Sequence, residues 1–383
     1  MYADRLLLPW LDCLRHAAPG LAIFDAHTHI GAGDPDGARC SAGELLETLA
    51  LARARAVCFP LMEAGGYRRA NDRVLAEAAR SQGRLVAFCR LDPHQRPVEE
   101  AERCLAAGAA GIKLHPRAER FTLSHPGVRQ VAALAHERRL PVIVHAGRGI
   151  PSLGRDALAL CAAHPQARIV LAHAAACDLA WIWRPAREQP NLFFDTAWWS
   201  PADLLTLLTL VPPGQILFGS DVPYNTTATA ATVAIRCALR AGLDGERITA
   251  IVGGQLERLL AGEEPLDLGA PPDEPAPPPG PLLERVFVLL AAALGRMMEG
   301  RSGGELLELA RLGCDVDPDR PEAPLLASIG ELLDRRDRYA HSARPLDGPR
   351  AAGFHLVAVA AAVARTPDVP LPPARSASAA RWR

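Results

Sequence analysis

The sequence lacks several features that would indicate particular partners or compartments. It contains no run of about 18 uninterrupted apolar residues, so no membrane-spanning helix is expected. Its formal net charge is -1 and no Lys/Arg-rich stripe is present, which argues against a nucleic-acid partner. Its nine cysteines include no Cys-x-x-Cys pair and are odd in number, a pattern typical of reduced thiols in a cytoplasmic protein.

Lysine is also nearly absent. Of 42 basic residues, 41 are arginine and a single one, Lys113, is lysine. Arginine stays charged in proteins, whereas lysine can lose its proton or carry a carbamate. A lone lysine in an arginine-rich sequence therefore predicts a role that arginine cannot fill, with retention by chance as the alternative.

Short apolar runs alternate with amphipathic helical segments between residues 21 and 262. The eight runs cover 21–27, 56–62, 84–91, 111–116, 140–146, 168–174, 192–197 and 215–221. Alternating strands and helices predict a parallel sheet, and eight such units in about 240 residues predict an α/β fold, the (β/α)8 TIM barrel. The alternative, an open doubly wound sheet, usually has a G-x-G-x-x-G loop after its first strand, and this sequence does not.

The sequence divides into five parts. An N-terminal helical extension, 1–20, precedes the barrel at 21–262, and a proline-rich linker, 263–281, follows it. Helical apolar spacing over 282–365 predicts a C-terminal all-helical domain of unknown role. The last part, 366–383, is rich in Pro, Ala, Ser and Arg and is expected to be disordered.

Polar side chains lie at the ends of several predicted strands. His27 and His29 follow the first apolar run two residues apart, so an extended backbone points both imidazoles to one face. His145, His173 and Asp221 end the fifth, sixth and eighth runs. The carboxyl ends of barrel strands surround one mouth, so these side chains are expected to converge there.

Imidazole and carboxylate groups are ligands of divalent metals. Three neutral imidazoles and one carboxylate, from His27, His29, His145 and Asp221, would leave a coordination position for water on one divalent ion. Such an ion lowers the pKa of its water towards neutrality. Asp221 could then accept the water proton, and His173 could orient the water or serve as acid/base.

The same segments carry a family resemblance. Asp25-Ala-His-Thr-His-Ile-Gly, Gly111-Ile-Lys-Leu-His-Pro, Leu140-Pro-Val-Ile-Val-His-Ala-Gly, Ile169-Val-Leu-Ala-His and Leu217-Phe-Gly-Ser-Asp-Val-Pro resemble the amidohydrolase superfamily. The sequence is most similar to the amidohydrolase-related family that includes aminocarboxymuconate-semialdehyde decarboxylase. The resemblance covers residues 21 to about 261, and it departs from the family pattern at Gln255, where an asparagine is usual.

This resemblance implies a (β/α)8 barrel that binds a divalent metal, commonly zinc. It implies that His27, His29, His145 and Asp221 are metal ligands and that His173 is a ligand or the acid/base. Some members of the superfamily carry a carboxylated lysine that bridges two metals, so a second metal is expected if Lys113 is carboxylated. The Lys-Leu-His-Pro form resembles members with one metal, which favours Lys113 as a substrate contact instead.

Four further residues are predicted to contact substrate. Lys113 and His115 share strand parity and should both face inwards. Arg148, in the loop after the fifth run, could clamp a carboxylate or simply be solvated. Asp195, at the end of the seventh run, could bind a ligand or cap the next segment.

Tryptophans follow the seventh run. Trp198 and Trp199 could wall the substrate site or cover the barrel rim against the C-terminal domain.

Three functions remain open at this point. The first is a metal-dependent hydrolase of a small-molecule amide, ester or lactone, whose substrate bears a carboxylate. The second is a metal-dependent non-oxidative decarboxylase of an aromatic or unsaturated acid. The third is a barrel that binds a partner without catalysis, against which the full set of ligand residues argues. A homodimer is also possible, and no membrane or nucleic-acid partner is expected.

Overall fold

A ring of parallel strands surrounded by helices forms the larger part of the molecule. The computed structural model describes residues 4–35, 37–147, 149–274, 276–342 and 353–373. The strands are β1 Phe24–Ile30, β2 Arg55–Pro60, β3 Leu85–Arg90, β4 Gly111–Leu114, β5 Pro141–Val144, β6 Arg168–Leu171, β7 Leu192–Asp195 and β8 Ile216–Leu217.

Helices separate the strands and continue beyond them. The barrel part contains α1 Asp4–Ala17, α2 Ala42–Leu51, α3 Arg68–Arg80, α4 Pro97–Ala106, α5 Pro126–Arg138, α6 Leu153–Ala163, α7 Leu179–Ala186, α8 Pro201–Leu210, α9 Thr227–Arg240, α10 Gly245–Thr249 and α11 Gln255–Leu260. The C-terminal part contains α12 Pro281–Met298, α13 Gly304–Leu312, α14 Ala323–Ser342 and α15 Phe354–Arg365. This confirms the predicted TIM barrel with a C-terminal helical domain.

The strands pair in chain order from β1 to β8, all in parallel. The ring closes through the segment that follows the short β8. Ala26 N–H donates to Phe218 O, His29 N–H to Val222 O, and Asp221 N–H to His27 O, each at 2.8 Å. Gly219 allows this approach, because a Cβ atom there would lie only 2.9 Å from the Cβ of His27. Closure therefore brings Asp221 beside the two histidines of β1.

The barrel interior is a packed apolar core below the mouth. Its inward-facing side chains include Phe59, Phe88, Val170 and Phe193, all buried. Bulky residues from successive strands fill the ring in this way in TIM barrels, so the interior is closed and only the mouth is open to ligands.

The C-terminal helices pack on the barrel and on each other. Helix α15 is almost wholly buried and lies against α8, α9, α12 and α14. On α14, Arg335 stacks over Trp10 of α1 at 4.8 Å, and Trp10 Nε1 donates to Ser328 Oγ at 3.2 Å. The helical domain is thus fastened to the barrel by both its apolar face and specific polar contacts.

The proline-rich linker and the start of the tail also follow the protein surface. Residues 263–280 form no helix or strand where they are described, and Arg247 Nε donates to Leu268 O at 3.2 Å. The expectation of disorder over 366–383 does not hold for residues 366–373, because the buried Arg236 binds the Thr366 hydroxyl and the Pro370 carbonyl, each at 2.9 Å. Residues 374–383 lie outside the described part.

Among the described residues, every helix is too short or too polar to cross a lipid bilayer.

Candidate metal centre

Strand β1 aims two polar side chains, His27 and His29, into the barrel mouth. They lie two residues apart, so they share one face of the extended strand. The apolar run alone predicts a strand that ends at His27. The observed strand continues to Ile30, because Ile30 pairs with Pro60 of β2 and Thr28 bridges to Val222. Both imidazoles are therefore held on rigid backbone.

His27, His29 and Asp221 form a group whose ligand atoms all lie within 4.8 Å of one another. Asp221 Oδ1 lies 3.2 Å from His29 Nε2 and 3.4 Å from His27 Nε2. The two histidines are buried, whereas the side chain of Asp221 is 15% exposed. The group thus sits at the boundary between the packed barrel and the open mouth.

The chemical state of His27 suits a metal ligand. Burial lowers the pKa of both His27 and His29 well below the usual value, which favours neutral imidazoles. The Nδ1–H of His27 donates to Asp195 Oδ2 at 2.7 Å, so its Nε2 keeps a lone pair directed at the group. A carboxylate that orients a ligating histidine in this way is common in metal sites. Two neutral nitrogens and a carboxylate oxygen therefore fit a divalent metal.

Asp195 is a positioning residue of this group. It is fully buried and accepts N–H bonds from the backbone of His173 at 2.9 Å and of Ala197 at 3.0 Å. Its expected role as a substrate contact does not fit this position, because its side chain is fully buried and does not line the cavity. Burial raises the pKa of Asp195, and the three donors stabilise its charged form.

Lys113 reaches the same group from β4. Its Nζ lies 3.2 Å from His27 Nε2 and 4.7 Å from the centroid of the Phe59 ring. Burial lowers the pKa of Lys113 to about 7. The single lysine of the chain therefore lies at the candidate site, with its Nζ within hydrogen-bonding distance of His27 Nε2.

The remaining histidines form a second group beside the first. His145 Nδ1 lies 2.9 Å from His173 Nε2, and the ring of His145 stacks on that of His115 at 3.8 Å. His145 is thus not brought into the compact group with Asp221, and its role as a ligand remains a prediction. His173 Nδ1–H donates to Ala197 O at 2.8 Å and lies 4.0 Å from Asp221 Oδ2.

The backbone is strained where two of these side chains originate. Asp221 has φ +67°, and His173 begins a run of left-handed residues with φ +59°, followed by Ala174 at +54° and Ala175 at +48°. Each such conformation costs on the order of 1–3 kcal/mol in a residue other than glycine and tends to cluster at functional sites. The surrounding barrel therefore stabilises an unfavourable backbone that aims these side chains at the mouth.

Two residues of the site escaped the sequence analysis. Asp25 accepts N–H bonds from His27 and Ser220, and burial raises its pKa to about 7. Arg90, the last residue of β3, is buried, forms an ion pair with Glu119 at 2.7 Å and lines the cavity. A signal was available for Arg90, since it is a charged residue one position before the end of the apolar run 84–91.

A cavity of about 680 Å³ opens above the metal group. Its barrel-derived wall carries the cationic side chains Arg90, Lys113, Arg117 and Arg120, together with His115, Trp198, Trp199 and Tyr224. Its remaining wall is contributed by Gly295 and Met298 of α12 and by Glu299, which directly follows the helix. The predicted contact Arg148 lies outside the described residues.

The fold and this group of residues define a class, the (β/α)8 barrels with a histidine–carboxylate centre at the carboxyl ends of their strands. The amidohydrolase family model (Amidohydro_2) matches residues 24–254, and the chain belongs to this family. No curated protein sequence is similar enough to match the chain.

Solved structures of related fold are similar over the barrel. LigW, a 5-carboxyvanillate decarboxylase from Sphingomonas paucimobilis, is 14% identical with a TM-score of 0.52 and covers 63% of this chain and 99% of its own. A TIM-barrel protein from Bordetella bronchiseptica is 18% identical with a TM-score of 0.52 over 63% and 99%. The IDCase of Metarhizium anisopliae is 14% identical with a TM-score of 0.51 over 64% and 98%. At these identities the likeness establishes the fold alone.

Proposed function

We propose that this protein is a metal-dependent hydrolase that cleaves an amide, ester or lactone bond in a small, carboxylate-bearing molecule. One observation supports this most directly: ligand atoms of His27, His29 and Asp221 lie within 4.8 Å of one another at the floor of a cavity that Arg117 and Arg120 also line. His27, His29 and Asp221 would hold one divalent ion, with zinc the metal we expect.

A divalent ion bound there would polarise a substrate carbonyl and lower the pKa of water. The protein groups around it have separate tasks. Asp195 holds His27 in the tautomer that leaves Nε2 free, and the partly exposed Asp221 accepts a proton at the cavity floor. His173, whose Nδ1 is held by Ala197 O, is the second candidate for proton transfer.

The cavity wall supports a substrate with a carboxylate. Arg117 and Arg120 are exposed at the rim, whereas the buried Arg90 is already paired with Glu119 at 2.7 Å. A carboxylate that enters the cavity would be attracted to this wall. We propose a single metal with Lys113 as an anion contact, since Lys113 lines the cavity beside these residues.

Decarboxylation is the second candidate reaction. The cluster of cationic side chains beside the metal group could also hold a carboxylate that leaves as CO2. The ligand residues serve both reactions, so only the products distinguish them. LigW, whose fold is similar, is named as a decarboxylase of an aromatic carboxylate, 5-carboxyvanillate.

The test is a metal and product analysis of the purified protein. We expect about one zinc per chain by elemental analysis, and hydrolysis products from a panel of carboxylate-bearing amides, esters and lactones. Release of CO2 from aromatic or unsaturated acids without hydrolysis would replace the first reaction by the second. Failure to bind zinc, manganese or iron would refute metal dependence, and two metals per chain would refute the assignment of Lys113.

We also infer a reducing, cytoplasmic location. The nine cysteines, all within the described residues, are free thiols, and most of them are buried. A homodimer and the lack of a nucleic-acid partner remain predictions from the sequence.

A further inference from the structure

The C-terminal helical domain reaches into the cavity of the metal centre. Gly295, Met298 and Glu299 lie three and four residues apart at the end of α12, which places them on one helix face. All three line the same cavity as His27 and Asp221. The amidohydrolase match ends at residue 254, so this wall is an addition to the family barrel.

This wall is fixed to the barrel loops that surround the site. On α15, the ring of Phe354 meets that of Trp199 edge-on at 6.3 Å, and His355 Nδ1 donates to Asn225 Oδ1 at 3.2 Å. Both Trp199 and Asn225 line the cavity. Helix α15 in turn holds α12, because Arg365 forms an ion pair with Glu284 at 2.8 Å.

The wall has a specific shape. A Cβ atom at Gly295 would meet no heavy atom within 4 Å, so the absence of a side chain there leaves open space in the cavity. Met298, one turn later, is half-buried and packs against the apolar core. Methionine adapts to varied apolar groups. The surface is therefore open at Gly295 and bordered by the adaptable thioether of Met298 and by the carboxylate of Glu299, and we call this open part of the cavity the recess at Gly295.

We propose that this α12 face selects substrates by the size of their apolar body. The acid group would be held at the cationic side of the cavity, and an apolar body beyond it would enter the recess at Gly295 and contact Met298. Met298 and Gly295 are then specificity-determining residues. A cavity of about 680 Å³ lies within the range of roughly 300–1,000 Å³ that accommodates such molecules. The idea rests on the proposed function for the acid group and extends it to the rest of the substrate.

The experiment measures binding of ω-phenylalkanoic acids, from benzoate to 6-phenylhexanoate, to the zinc-treated full-length protein by calorimetry. Gly295→Leu fills the recess, and leucine favours helix more than glycine does, so the variant should fold. We expect this variant to lower the binding affinity for the longer acids at least 10-fold and that for benzoate less than about 2-fold. Met298→Ala should lower the binding affinity for the longer acids about 5- to 30-fold, because it removes apolar contact.

Gly330→Leu is the matched control. Gly330 lies in α14 of the same domain, a Cβ atom there also meets nothing within 4 Å, and it does not line the cavity. This variant should bind every acid as the unaltered protein does. Equal weakening of all acids by Gly295→Leu and Gly330→Leu, or no effect of Gly295→Leu, would overturn the proposal, as would absence of binding by every acid.

Zinc content and turnover are recorded on the same samples. A protein that binds no zinc and turns over no substrate, yet shows the length-dependent effect of Gly295→Leu, would refute the proposed function. It would still support the proposed selection of ligands by the α12 face. A zinc-bound, active enzyme without that effect would support the proposed function and refute the selective role of the α12 face.

Discussion

Replacing Asp195 with asparagine perturbs the candidate metal centre at the contact that sets the tautomer of His27. In the protein, Asp195 Oδ2 accepts the Nδ1–H of His27 at 2.7 Å, while Oδ1 accepts the backbone N–H groups of His173 and Ala197. An asparagine would keep its oxygen on the two backbone donors and place its NH2 group against His27 Nδ1. His27 would then accept at Nδ1 and carry its proton on Nε2, the atom that faces Asp221.

The expected magnitude follows from the loss of that lone pair. Removing the partner that orients a ligating histidine costs about 10- to 100-fold in metal affinity, or about 1.4–2.7 kcal/mol. We therefore expect Asp195→Asn to weaken zinc binding by this amount, measured by competition with a chelating dye. Its melting temperature should change little, because the two backbone hydrogen bonds are retained. Nitrogen NMR shifts of His27 would report the change of tautomer directly.

Asp25→Asn is the matched control for this experiment. Asp25 is equally buried and accepts two backbone N–H bonds, but its other oxygen accepts from the Thr227 hydroxyl rather than from an imidazole. A hydroxyl can also accept a bond, so asparagine should fit there without altering the tautomer of His27. Equal zinc affinities of Asp195→Asn and the unaltered protein would refute the reasoning. A loss of the same size in Asp25→Asn would assign the effect to burial instead.

Three further outcomes are expected. Asp221→Asn should retain much of the metal but lower kcat about 10²- to 10⁴-fold, measured at saturating substrate; unchanged turnover would contradict its role as proton acceptor. Burial opposes ionisation of Glu100, but hydrogen bonds from Arg103 hold its pKa at about 2, below the ordinary 4.5, so its stabilising contribution is present above pH 4.5 and is lost as the pH falls towards 2. The difference in urea unfolding between the unaltered protein and Glu100→Gln should therefore shrink from pH 6 to pH 3, and a constant difference would exclude the ion pair as its source. Arg236→Met should lower the free energy of unfolding by about 2–4 kcal/mol and speed proteolysis within residues 366–373, whereas resistance equal to that of the unaltered protein would show that these bonds do not hold the segment.

The barrel was predictable because its signal is local and repeated. Each apolar run of β-strand length is followed by a segment with helical spacing, and the observed strands lie within a few residues of the predicted ones. One difference is at β1, where the apolar run stops at His27 but the strand continues to Ile30. Backbone pairing with β2 and with Val222 extends this strand beyond His27. A pattern of apolar residues cannot predict such pairing.

The sequence nominated members of the candidate site but not the contacts between them. Position at strand ends was enough to nominate His27, His29 and Asp221, because every strand of a barrel ends at the same mouth. It did not separate His145, which pairs with His173, from the compact group. Nor did it distinguish a substrate contact from the buried positioning role of Asp195, since that depends on which side chain lies opposite in the closed ring.

The amino-acid sequence alone determined the number of strand–helix units, the end of the barrel at which the functional groups lie and the presence of a C-terminal helical domain. Each of these follows from short-range patterns of apolar and polar residues. Tertiary structure alone decided that Asp195 meets His27 across 168 residues, that Lys113 meets it across 86, and that α12 lines the cavity. Closure of the barrel and packing of the C-terminal helices bring such distant positions together, and neither produces a periodic pattern in the sequence.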